Sequence, residues 1–88
     1  MSYIIKDAYP NPFNPVTNIS VELNTTADIS VKVYNLMGQE VATLFKGIMQ
    51  PTNNYTMTWN ANNMASGIYL VKAEGVGSIE TQKLMLIK

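Results

Sequence analysis

Three of the four prolines fall within six residues, in the stretch Tyr9-Pro10-Asn11-Pro12-Phe13-Asn14-Pro15. Each ring holds φ near about −65° and removes a backbone donor, and each residue before a proline is pushed out of the helical region. The chain here must run extended or polyproline-like, with asparagine side chains supplying turn hydrogen bonds. No helix can begin inside the stretch and no central strand can contain it. Two readings remain open. The segment is a strand connection with Phe13 tucked over one end of a core, or it is a stiff, low-entropy display that a partner recognises.

The remaining sequence reads as short strands. Tyr3-Ile4-Ile5 is an apolar run that suits a first edge strand. From Thr17 to Leu23 the pattern alternates, with Ile19, Val21 and Leu23 on one face and Asn18, Ser20 and Glu22 on the other. Asn24 to Asp28 is a polar turn, after which Ile29, Val31 and Val33 repeat the inward pattern, so that this strand and the preceding one pair or face each other across a core. Asn35-Leu36-Met37-Gly38 predicts a turn with Gly38 at positive φ. Gln39 to Phe45 reads as a less regular strand, or as one helical face too short to be stable. Gly47 to Asn54 is expected as a longer loop, broken by Pro51 and with an asparagine in the left-handed region.

Tyr55, Met57 and Trp59 alternate with threonines, which places the single tryptophan in the interior. Asn60 to Gly67 is a loop. Ile68 to Glu74 begins apolar on both faces, as a central strand does. Gly75-Val76-Gly77-Ser78 predicts a tight hairpin, and Ser78 to Ile87 the last strand. Leu84-Met85-Leu86-Ile87 cannot all face one core, so this strand needs a second covering surface or a partner, and a weak homodimer through it is expected. About seven short strands joined by Gly, Pro and Asn turns indicate an all-β chain, an antiparallel two-sheet β-sandwich of immunoglobulin-like type. Its expected core is Ile19, Val21, Leu23, Ile29, Val31, Val33, Tyr55, Met57, Trp59, Leu70 and Leu84.

Size and charge narrow the function. The 88 residues suffice for one domain, with residues 1–8 as edge strand and linker and 9–88 as the sandwich. Met1-Ser2 reads as a remnant ahead of an excised domain, and nothing at the N-terminus resembles a signal peptide. Six lysines, no arginine and a net charge of zero provide no phosphate-binding footprint, so nucleic acid is not an expected partner. The uncharged run from Gly47 to Val71 contains Pro51 and five asparagines, which rules out a membrane-spanning helix.

Catalytic chemistry is poorly served. There is no histidine or cysteine, and Asp7, Glu22, Asp28, Glu40, Glu74 and Glu80 are isolated along the sequence. General acid–base and nucleophilic catalysis normally need a histidine or a tuned carboxylate pair beside a nucleophile, so no enzyme activity is expected. No cofactor is implied; a calcium ion would have only loop carbonyls with Asp7 or Asp28. Tyr34 and Tyr69 are candidates for an aromatic shelf that stacks on sugars, against the commoner role of rim residues.

Four ordered stretches carry a family resemblance. Tyr9 to Pro15 with Thr17 and Ile19 resembles the opening of the C-terminal sorting domains of the type IX (Por) secretion system of Bacteroidetes and related bacteria. Val33-Tyr34-Asn35-Leu36-Met37-Gly38-Gln39-Glu40-Val41 resembles that family's V-Y-[DN]-x-x-G-x-x-V segment. Trp59 followed by Ser66-Gly67-Ile68-Tyr69 resembles its W…S-G-x-Y segment, and Lys83-Leu84-Met85-Leu86-Ile87-Lys88 its terminal apolar strand bracketed by lysines. Asn24, Asn35 and Asn53 stand where the family more often has proline, aspartate and glycine, changes that touch loop detail.

The resemblance implies a non-enzymatic sorting signal that directs an attached exported protein across the outer membrane. Its implied partners are the type IX machinery, a surface protease that removes the domain, and an N-terminal cargo protein. Its implied location is the periplasm in transit, then the cell surface or the medium. Carried over residue by residue, the signal comprises Pro10, Asn11, Pro12, Gly38, Val41, Lys83, Leu84, Leu86 and Lys88. The alternative is a carbohydrate-binding or adhesive module of a secreted hydrolase. A chain that ends within a residue of its last strand favours sorting.

Overall fold

A computed structural model of the chain describes residues 3–88; Met1 and Ser2, and the expectation placed on them, lie outside the described residues. Seven strands form in order: β1 (Tyr3–Ile5), β2 (Val16–Leu23), β3 (Ala27–Asn35), β4 (Glu40–Met49), β5 (Thr52–Asn60), β6 (Gly67–Gly75) and β7 (Ser78–Leu86). A three-stranded sheet, β1-β2-β5, packs on a four-stranded sheet, β4-β3-β6-β7, and every ladder is antiparallel. β3–β4 and β6–β7 are hairpins within one sheet, whereas β2–β3, β4–β5 and β5–β6 cross between sheets. This is an immunoglobulin-like sandwich.

Period-two alternation places the core. Ile19, Val21 and Leu23 of β2 face Ile29, Val31 and Val33 of β3 across the interior, all nearly or wholly buried. Trp59 lies between Phe13 and Tyr69, with ring centroids 5.5 and 5.3 Å away. The β6–β7 turn is two residues long, with Val76 at φ 46° and Gly77 at φ 77°, the double positive φ of a type I′ hairpin.

Several expectations need correction. Tyr55 shares the parity of Met57 and Trp59 but is 40% exposed, because β5 is an edge strand there, and its ring packs edge-on against Phe45. Leu70 is not a core residue: β6 turns Tyr69, Val71 and Ala73 inward and leaves Leu70 half-buried on the outer face. The apolar run Ile68 to Val71 hid this parity. The loop expected from Gly47 to Asn54 shrinks to Gln50-Pro51, since β4 continues to Met49 and β5 starts at Thr52. No asparagine occupies the left-handed region; among the described residues Val76 is the only non-glycine with positive φ. Of the stretch Gln39 to Phe45, Glu40 to Phe45 resolves as strand, the first part of β4, made irregular by shifts in register at Val31/Lys32 and Val33/Tyr34.

The terminal strand is covered. Phe13 N–H donates to the Met85 carbonyl (2.9 Å) and Ile87 N–H to the Phe13 carbonyl (3.0 Å), a parallel bridge along the outer edge of β7. The strand ends at Leu86, one residue short of the expected Ile87, so Lys88 lies past it.

Candidate functional site

The four motif stretches are far apart in sequence and meet at one end of the sandwich. β2 begins there beside the end of β5 (Val16 opposite Asn60), β3 ends beside the start of β6 (Asn35 opposite Tyr69), and β7 ends against both β6 and Phe13. Tyr3, opposite Leu23, marks the other end.

The proline stretch is held by hydrogen bonds that its own sequence makes available. Tyr9 exchanges both backbone bonds with Asn18 at 3.0 Å, after which Pro10 and Pro12 leave no donors of their own. Their place is taken by the Asn11 side chain, whose Nδ2 donates to the Lys83 carbonyl and whose Oδ1 accepts from Met85 N–H, both at 3.0 Å. The amide thus acts as a peptide group would in a neighbouring strand. Thr17, fully buried, donates its hydroxyl to the Pro10 carbonyl at 2.7 Å. Phe13 then carries its ring into the core, 2% exposed, while Pro10, Asn11, Pro12 and Asn14 remain at the surface. Ala61 N–H on the Pro15 carbonyl (2.9 Å) ties the segment to the loop after β5.

Polar side chains of β7 hold the chain just upstream. Gln82 accepts from Ala8 N–H (2.6 Å) and donates to the Lys6 carbonyl (3.1 Å), and Glu80 accepts from Ile5 N–H at 3.3 Å. Gln82 and Glu80 share the parity of buried Leu84 and Leu86. A polar pair on the inward register is the sequence signal for this seam.

The other stretches complete the end. In the β3–β4 turn, Asn35 Oδ1 accepts from the N–H groups of Met37 (2.9 Å) and Gln39 (3.0 Å), and Gly38 stands at φ 84°. Leu36 and Met37 project outward, 67% and 79% exposed. Tyr69 donates its hydroxyl to the Ala65 carbonyl at 2.6 Å, fixing the loop before β6. Lys88 donates its backbone N–H to Ser66 Oγ (3.0 Å) and its ammonium to the Asn62 carbonyl (2.7 Å). The terminal lysine is therefore docked on that loop.

The nine residues expected as signal thus fall into three settings. Pro10, Asn11, Pro12, Lys83 and Lys88 are exposed on the same end or the adjoining β7 edge, and Gly38 shares that end. Leu84 and Leu86 have buried side chains, so neither side chain is presented at the surface. Val41 lies on β4, half-buried. The stiff segment and the terminal strand are joined by hydrogen bonds into one surface.

Electrostatics are mild. Lys32 and Glu40 form an ion pair at 3.4 Å beside the turn. The Glu40 carboxyl is held below the ordinary carboxylate range, chiefly by the Thr43 hydroxyl at 2.6 Å and further by Lys32. Lys72 sits 4.9 Å above the Tyr34 ring. With Tyr34 capped and Tyr69 buried, the aromatic shelf considered for sugar stacking does not form.

A search of solved structures found no match. Among protein families, the pattern described as the secretion system C-terminal sorting domain matches residues 7–88, which takes in all four stretches and the whole sandwich from the linker after β1 onward. The chain belongs to the family of secretion system C-terminal sorting domains.

Proposed function

We propose that this domain is a non-enzymatic type IX signal that directs an attached exported protein through the periplasm and across the outer membrane, to the cell surface or the medium. The observation that supports the reading is the convergence of the family's stretches on one end, where Asn11 and Phe13 bind the edge of β7. The machinery reads that end as a folded shape, and the surface protease acts on the linker side. A cargo joined upstream of Tyr3 would leave from the opposite end, so the signal stays accessible while the cargo is attached.

The test is a fusion of residues 1–88 to the C-terminus of a periplasmic fluorescent reporter in a bacterium with a working type IX system, compared with the same fusion lacking 83–88. The intact fusion reaches the surface or medium and the truncated one stays in the periplasm. An intact, folded fusion that stays periplasmic would refute the assignment.

A further inference from the structure

The two sheets differ in charge. Lys32, Lys46, Lys72 and Lys83 all lie on strands of the four-stranded sheet, whereas β2 and β5 carry a single charge between them, Glu22. On β2 the buried Thr17, Ile19 and Val21 turn inward, so Asn18 and Ser20 face outward; on β5 the burial of Met57 and Trp59 does the same for Thr56 and Thr58. Asn18 stands opposite Thr58, and Ser20 opposite Thr56. The outer face of the narrower sheet thus carries a block of amide and hydroxyl side chains.

Tyr9 widens this block. It exchanges both backbone hydrogen bonds with Asn18, and residues paired in that way carry their side chains on the same face. Its ring is 79% exposed. Among the described aromatic side chains it alone has no ring neighbour, no cation over it and no hydrogen bond. Tyr9, Asn18 and Thr58 form a row across three chain segments, about 10 Å long from the spacing of antiparallel pairs.

Hydrogen-bonding capacity remains within the block. The Thr58 hydroxyl donates to Asn18 Oδ1 at 2.8 Å, and the Asn18 amide N–H groups have no partner among the described residues. Ser20 and Thr56 share one bond of 3.0 Å, so one of their two O–H groups is left to donate. Charge stands only at the margins, at Asp7 in the linker and at Lys6 and Glu22 toward the Tyr3 end, with the Lys6 ammonium on the Asn53 carbonyl at 2.9 Å.

We propose that this face binds an uncharged glycan chain. One pyranose lies with its C–H face on the Tyr9 ring, and the hydroxyls of the chain meet Asn18, Thr58, Ser20 and Thr56. The block has no cations for a phosphate or carboxylate ligand. Half-buried Val16 is its only adjoining aliphatic neighbour on the motif-bearing side, so it lacks the apolar centre of a protein interface. Groups that donate and accept, set beside a bare ring, match a sugar, whose hydroxyls do both and whose ring face is apolar. No pocket opens among the described residues, so the ligand is a chain lying along the face and is held weakly. This site does not rest on the sorting reading.

The test titrates the full chain, labelled for NMR, with cellohexaose, mannohexaose and laminarihexaose, all uncharged and β-linked, and with an oligogalacturonate as the charged control. At least one hexaose should give saturable shifts at the Asn18 side-chain amide, the Thr56 and Thr58 amides and the Tyr9 ring, with Kd on the order of 1 mM. Tyr9→Phe should bind like wild type and Tyr9→Ala about tenfold more weakly or worse. Thr56→Val with Thr58→Val, which keeps the branched strand residues, should also weaken binding. The proposal is overturned if no hexaose moves these signals up to about 10 mM, a range that covers even weak association, if Tyr9→Ala binds as wild type does, or if the oligogalacturonate binds as well as the best hexaose.

Discussion

Replacing Asn11 with alanine tests whether the side chain joins the proline stretch to the terminal strand. The substitution removes two hydrogen bonds, to the Lys83 carbonyl and from Met85 N–H, each 3.0 Å long. A protein hydrogen bond contributes about 0.5–1.5 kcal/mol net, and both of these are at the surface, where water can replace the lost partner. The expected loss is therefore at the lower end for two bonds, about 1–2 kcal/mol, or roughly 5–10 °C in Tm for a domain of this size. The local signature is sharper than the global one. Met85 and Ile87 amides, both bonded along this seam, should lose protection in hydrogen exchange by about tenfold or more, while the β3 and β6 interior follows only the change in global stability. Asn11→Asp separates the two bonds, because a carboxylate accepts from Met85 N–H but cannot donate to the Lys83 carbonyl. Met85 protection should then exceed that of the alanine variant. Equal protection of Met85 in wild type and Asn11→Ala would refute the claim that the side chain acts as a strand's peptide group.

Phe13→Ala should cost about 3–5 kcal/mol, most of the stability of a small domain; urea unfolding followed by fluorescence of Trp59, 5.5 Å from the Phe13 ring, measures it. Thr17→Val leaves the Pro10 carbonyl without its buried donor and should cost about 1–3 kcal/mol, while Thr17→Ser should recover much of that loss in the same assay. Gly75→Ala sets a methyl against Ile29 Cδ1 and the Asp28 carbonyl, an overpacking expected to cost about 1–3 kcal/mol by thermal unfolding. The Glu40 carboxyl should titrate below the ordinary value in a carbon-13 pH series, and Thr43→Val should raise it. Because the folded pKa is the lower one, its contribution is present at neutral pH and fades as pH falls through that folded value.

The alternation of β2 and β3 was legible because each strand buries one face, and a slip of one residue would expose Ile19, Val21, Ile29 and Val31 together. The Gly38 turn and the Val76-Gly77 hairpin were legible through local backbone chemistry. Leu70 and Tyr55 were not. In β6 the apolar run carries no phase, and the choice of Tyr69 as the inward residue depends on Trp59 in another strand. In β5 the parity was right, but exposure at a sheet margin is set by how many strands lie beside it, which the alternation does not encode. The order of the four stretches could be read along the chain, whereas their meeting at one end follows from the crossovers. The Asn11 bridge to β7 spans more than seventy residues and has no local signature.

The most direct measurement compares the two ends of the sandwich in one export assay. Leu36→Glu with Met37→Glu places charge on side chains that are 67% and 79% exposed at the motif-bearing end, and Val76→Asn with Ile79→Glu changes two that are 42% and 59% exposed at the other. After circular dichroism shows both variants folded, each is fused to the periplasmic reporter and its destination scored. The account predicts that the first is retained in the periplasm and the second is exported like wild type. Export of both, or retention of the second alone, would contradict the claim that the signal is the end built from the proline stretch and the terminal strand.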